Sequence, residues 1–120
     1  MKKKSARKKT AEKGEMSSLA LEMIAMQFRA LSEPLRLRLL HLLMQGESRV
    51  GQLVESTGSS QANVSKHLTV LREAGMIRMR KAGPSTLYRI DDPVVYQLCD
   101  LMCSRLRRDM EAQHQALEGI

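Results

Sequence analysis

The sequence predicts a mainly α-helical domain with one small β-hairpin, in the order α-α-α-α-β-β-α. Three observations carry that prediction. From Ser17 onward, apolar residues recur at spacings of three and four. The period changes to two only once, in "MIRMR" and "TLYRI", which flank the turn "KAGPS". Pro and Gly then punctuate the chain at each expected boundary.

Residues 1–15 are expected to form a disordered basic tail, because this charge run lacks apolar periodicity. Residues 1–14 hold seven Lys or Arg against Glu12, a net of +6 out of +7 for the whole chain. Residues 16–120 are expected to form a single domain. Its first helix starts at Ser17, with Leu19, Met23, Met26 and Ala30 on one stripe. "LSEP" interrupts that helix, and Ser32 is the expected N-cap of the next, with Pro34 in its first turn. Leu35, Leu39, Leu42 and Leu43 give the second helix its apolar face, and Gly46 ends it.

A short helix over Arg49–Ser56 turns Val50, Leu53 and Val54 inward, and Gly58 closes it. Ser60 then caps a helix reaching Ala74, with Val64, Leu68 and Leu71 at i, i+4 and i+7. In the hairpin, Ile77 and Met79 share one face, while Arg78 and Arg80 share the other. Pro93 opens a long last helix, striped by Val95, Leu98, Cys99, Met102, Leu106, Met110 and Leu117. That stripe is longer than a small monomer can bury, so burial of helices in an oligomer is expected.

Two short helices joined by a tight turn containing Gly form a helix-turn-helix unit. Its second helix exposes Ala62, Lys66 and Thr69 opposite the core stripe, flanked by Gln61, Asn63 and Ser65. Small, amide-bearing and hydroxyl-bearing side chains suit a DNA major groove, where Gln and Asn pair with adenine edges. An ordinary solvated helix face would have a similar look. The hairpin that follows at once separates the two readings, because it carries Arg78, Arg80 and Lys81 where a wing meets phosphates. Residues 60–90 hold six Lys or Arg against Glu73, a net of +5. The candidate DNA-binding residues are therefore Ser60, Gln61, Ala62, Asn63, Ser65, Lys66, Thr69, Arg78, Arg80 and Lys81.

Other classes find little support in the sequence. No nucleophile sits in a catalytic motif, and His41, His67 and His114 fall on separate helices without metal-ligand spacing. No apolar run approaches the ~20 residues of a membrane span. The basic start lacks the apolar region of a secretory signal. Two Cys in such a chain point to free thiols in a reducing cytoplasm.

The runs "FRALSEPLRLRLLHLL", "VGQLVESTGSSQANVSKHLTVLREAGMIRMRKAG" and "YRI" resemble the ArsR/SmtB group of bacterial winged-helix repressors. The likeness covers about residues 24–106, and "SQANVSKHLTVLREAGMI" is its most specific part. It implies a homodimer paired through the first and last helices, seated on a palindromic operator and released by an inducer. The sensing motifs known in that group are absent here. "SRVGQLVES" lacks the Cys-x-Cys of arsenic-type sites, and "PLRLRLLHLLMQG" lacks the Cys of persulfide-type sensors. Asp100 has Met102 at +2 and His114 has Leu117 at +3, so the zinc-type pattern on the last helix also fails.

Cys99 and Cys103 remain, one turn apart on the apolar stripe. They are either small hydrophobes in an interface or a sensing pair. Thiolates favour soft ions such as arsenic(III), antimony(III), zinc, cadmium or copper(I). Two thiols leave such a site open, and a partner helix or His114 would have to close it. An oxidant bridging two subunits is the redox version of the same reading. A winged-helix module for protein contacts, with structural cysteines, is the rival class.

Overall fold

The structure is a computed structural model that describes residues 14–119. The expected basic tail lies outside the described residues except for Gly14 and Glu15. The described chain runs α1 (Ser18–Leu31), α2 (Pro34–Leu43), β1 (Ser48–Arg49), α3 (Val50–Thr57), α4 (Gln61–Glu73), β2 (Arg78–Ala82), β3 (Ser85–Arg89) and α5 (Pro93–Glu118). The helices and the hairpin stand in the predicted order.

Local chemistry sets the boundaries. Ser17 caps α1, its hydroxyl accepting from the Ala20 N–H at 3.1 Å. The cap of α2 is Glu33 rather than Ser32, which closes α1 and donates its hydroxyl to the Arg29 carbonyl. Pro34 explains the shift. The residue before a proline is driven to extended backbone, which is the N-cap conformation, and Glu33 has φ −140°. Gly58 ends α3 at φ +72°, a left-handed conformation that favours glycine. Asp92 caps α5 through the Val94 N–H at 2.9 Å.

The sheet has one strand more than the hairpin. β1 pairs antiparallel with β3, Ser48 facing Tyr88 and Arg49 facing Leu87, in the order β1-β3-β2. Two residues are too few to show a period, so this strand had no signature in the sequence. It ties the wing to the start of the helix-turn-helix.

The core lies under α2, α3 and α4. Leu39, Leu40, Leu43, Leu53, Val64, Leu68 and Leu71 are fully buried, joined by Ile77 from the wing. The α2 face is rotated from the predicted one: Leu40 is buried, while Leu35 and Leu42 only border the core. Leu68→Ala should destabilise the fold by roughly 2–5 kcal/mol, the range for emptying a packed leucine site. Urea unfolding at fixed protein concentration checks this.

The α1 and α5 stripes enter this core only at one end each, through Ala30 and Val95. Ala30 is the one buried residue of α1, and Val95 the one of α5. Met23, Met26, Leu106 and Met110 are all more than half exposed.

Candidate nucleic-acid interface

The second helix of the helix-turn-helix is held from beneath. Val64, Leu68 and Leu71 are inaccessible, so α4 cannot roll without opening the core. The turn before it is fixed by the Thr57 hydroxyl, which donates to the Leu53 carbonyl at 2.7 Å and accepts from the Ser59 N–H. Arg38 on α2 donates to the Ser56 carbonyl at 2.9 Å and secures the end of α3. Ser60 caps α4 by accepting from the Asn63 N–H at 3.1 Å.

On this mount, Gln61, Ala62, Asn63, Lys66 and Thr69 are exposed and Ser65 is half-buried. Two of the candidates are engaged within their own helix. Ser60 accepts the capping bond, and Thr69 donates its hydroxyl to the Ser65 carbonyl at 2.9 Å. The groups left for an outside partner are the Gln61 and Asn63 amides, the Ser65 hydroxyl and the Lys66 ammonium. They sit on the first two turns of the helix, the part that enters a groove in helix-turn-helix docking.

The wing carries its cations differently from the sequence expectation. Arg80 donates twice to Glu47, both bonds at 2.8 Å. Arg89 bonds Asp91 at 2.6 Å, and Arg78 lies 3.3 Å from the same carboxylate. The Arg80 bond holds the Glu47 carboxyl below its ordinary range, outweighing the opposing effect of burial. Asp91 lies one residue past the 60–90 stretch whose charge is +5, and Glu47 lies well before it, so much of that charge is compensated by carboxylates outside the stretch. Among the described residues, Lys66 and Lys81 form no ion pair. Lys66 on the helix and Lys81 on the wing thus have no competing carboxylate, and neither has Arg72, which donates to the Met79 sulfur at 3.0 Å.

A polar contact under α4 has no motif in the sequence. His67 is nearly inaccessible, and its Nδ1 lies 3.0 Å from the Arg36 guanidinium. An arginine only donates, so Nδ1 accepts and the imidazole carries its proton on Nε2. Burial, and then the Arg36 charge, push the His67 pKa below its ordinary value.

Cys99 is half-buried and Cys103 exposed, four residues apart on α5, and neither forms a disulfide. Burial first, then Cys103 and Asp100, push the Cys99 thiol up. His114 cannot complete a site with them in the same chain. α5 is continuous from Pro93 to Glu118, and at 1.5 Å per residue the eleven residues from Cys103 span ~16 Å. His114 instead bonds Glu118 at 2.9 Å. Among the described residues, no cluster of three or more His, Cys, Asp or Glu could hold a metal ion within one chain. None of the described helices is long and apolar enough to cross a membrane.

A capped, core-mounted polar helix followed by a β-hairpin, with β1 completing its sheet, defines a winged helix-turn-helix DNA-binding domain. The chain belongs to the arsR family of bacterial regulatory proteins, whose family model matches residues 33–79. It is similar to a probable mercury resistance operon repressor of Streptomyces lividans, 41% identical over 59% of this chain and 57% of that protein. It is 33% identical to the Mycobacterium tuberculosis HTH-type regulator Rv0081, over 78% of this chain and 82% of the relative. The crystal structure of Rv0081 superposes with a TM-score of 0.75, at 31% identity, covering 81% of this chain and 98% of that one. A homodimeric winged helix-turn-helix domain from Mycobacterium bovis, a possible ArsR-family regulator, superposes with a TM-score of 0.74. It is 28% identical and covers 82% and 94% of the two chains. The chain is thus a DNA-binding transcriptional regulator, not an enzyme.

Proposed function

We propose that the protein is a homodimeric, cytoplasmic repressor that leaves a palindromic operator when a thiophilic ion reaches Cys99 and Cys103. Residues 16–120 form the DNA-binding and dimerisation domain, and the basic tail adds affinity without sequence preference. The observation that carries the DNA reading is the set of four unengaged polar side chains, Gln61, Asn63, Ser65 and Lys66, on a helix locked by its core face. Gln61, Asn63 and Ser65 read base edges, with Ala62 leaving room for close approach. Ser60, Lys66 and Thr69, together with Arg78, Arg80 and Lys81 on the wing, meet the backbone. Arg78 and Arg80 must exchange Asp91 and Glu47 for phosphate to do so.

Dimerisation uses the exposed stripes of α1 and α5, and the homodimeric relative supports it. Each α5 offers two soft donors, so pairing near a two-fold axis would bring up to four thiols together. Zinc, cadmium, copper(I), arsenic(III) and antimony(III) suit such donors, and the relative's mercury operon adds mercury(II). The raised Cys99 thiol is a poor nucleophile, which ranks an oxidant below a soft ion that can displace the proton.

The test compares the best duplex selected from a random-sequence pool with the pool itself. Gln61→Ala and Ser65→Ala should each cost roughly 1–3 kcal/mol on the selected duplex and little on the pool. Lys81→Ala should weaken both and reduce the salt slope by about one. Equal losses on both DNAs for the α4 variants would remove them from base readout. A wild-type protein that selects no duplex would return the chain to the protein-interaction reading.

A further inference from the structure

A polar network beneath α4, with His67 as its buried member, joins α1 to α4. Arg36, on α2, donates Nε to the Ala30 carbonyl at 2.7 Å and Nη2 to the Arg29 carbonyl at 3.2 Å. Those carbonyls belong to the last turn of α1; Arg29's also accepts from Ser32, while no further turn of helix follows to satisfy Ala30's. The same guanidinium reaches His67 Nδ1 at 3.0 Å, midway along the recognition helix. A second tie lies one helix end away: Gln27 on α1 donates Nε2 to the Ala74 carbonyl at 3.1 Å, closing the C-terminus of α4. The helix assigned to the dimer face is therefore bonded to the helix assigned to the DNA at two points, and Arg36 makes three of the four bonds.

We propose that Arg36 is a positioning residue, fixing the recognition helix relative to α1 through the unprotonated Nδ1 of His67, so that operator readout requires a neutral His67. This rests on the reading of α4 as the DNA-reading helix. A protonated His67 has no lone pair at Nδ1, so the 3.0 Å bond becomes a contact between two cations. The charged groups that act on the ring are Arg36 and Glu33 from α2 and Lys66 from α4 itself. Arg36 and Lys66 oppose the imidazolium, and Glu33 favours it. Arg29 of α1 and Glu73 of α4 line the same crevice as Arg36. Because burial and Arg36 lower the His67 pKa below 6.5, readout should be complete at pH 8 and fail only in acid below that ordinary value.

The experiment follows the ratio of affinities for the selected duplex and the random pool from pH 8 to pH 5, with dimer state monitored by sedimentation. The ratio cancels the general gain in DNA affinity that acid gives any basic protein. For the wild type it should fall by roughly 5- to 150-fold, the span of typical coupling between sites. In His67→Asn, Oδ1 takes the place of Nδ1 and accepts from Arg36 without titrating, so its ratio should stay flat. Arg36→Gln should remain dimeric and lose a similar factor already at pH 8. The 15N shifts of the His67 ring must titrate with the same midpoint as the wild-type ratio. A wild-type ratio that stays constant while the His67 ring titrates, a different ring midpoint, an Asn variant that follows the wild type, or a dimeric Arg36→Gln with unchanged preference would each overturn the proposal. Failure of the wild type to select any duplex at pH 8 would instead overturn the DNA reading, and this proposal with it.

Discussion

Leu106→Glu should convert the protein to a monomer and abolish tight operator binding. Leu106 is 55% exposed in the single chain, on a stripe with Leu98, Met102 and Met110 that touches no core. Such a run of apolar surface on one helix marks an association site. In a two-fold interface the same residue enters twice, so each dimer would bury two carboxylates. An unpaired buried ion costs several kcal/mol. The dimer dissociation constant should rise by at least about a thousandfold. Operator binding should follow, because a palindrome rewards two linked recognition helices and a monomer engages only one half-site. Unfolding should change little at concentrations where the wild type is itself monomeric, since the mutated position lies outside the core. Sedimentation of a variant that stays dimeric would move the interface off α5.

The stripe shows how far the sequence could be read. Periodicity located α1 and α5 and their apolar faces, but it cannot say whether a face meets its own chain or another. Leu19, Met23 and Met26 keep helical spacing like that of Val64, Leu68 and Leu71, yet the first three are exposed and the last three inaccessible. Order along the chain was legible because each element carries its own local punctuation, such as Ser60, Gly58 and Pro93. Pairing between distant residues was not. Glu47 neutralises Arg80 from 33 positions away, and Arg36 meets His67 across 31. Neither pair has a spacing rule, because the fold and not the chain brings them together. A charge count over a window is exposed to the same failure: Asp91 lies one residue past the segment and binds two of its arginines. His67 sits on a mostly polar helix stretch, and only contact with α2 turns it into a buried acceptor.

The double change Cys99→Ser and Cys103→Ser should leave operator affinity intact and abolish release by a thiophilic ion. Cys103 is exposed and Cys99 half-buried, and both lie far along the chain from α4, so serine should cost the DNA face nothing. Serine keeps the size of cysteine but not the soft donor. The assay holds the selected duplex on the protein and adds arsenic(III), antimony(III), mercury(II), zinc, cadmium or copper(I) in turn. Wild type should release with one or more of these, and a competing thiol should restore binding. Among the described residues each chain supplies two donors and no cluster of three ligands, so release should need the dimer. A single Cys103→Ser would then leave at most two thiols across the pair and should lose most of its sensitivity. Oxidative sensing makes a different forecast: release by peroxide, restoration only by a reductant, and a covalent dimer on a non-reducing gel. If the double variant responds as the wild type does, the two cysteines only pack α5 against its partner. The signal would then have to act elsewhere, and the polar ties between α1 and α4 would be the next place to look for its effect.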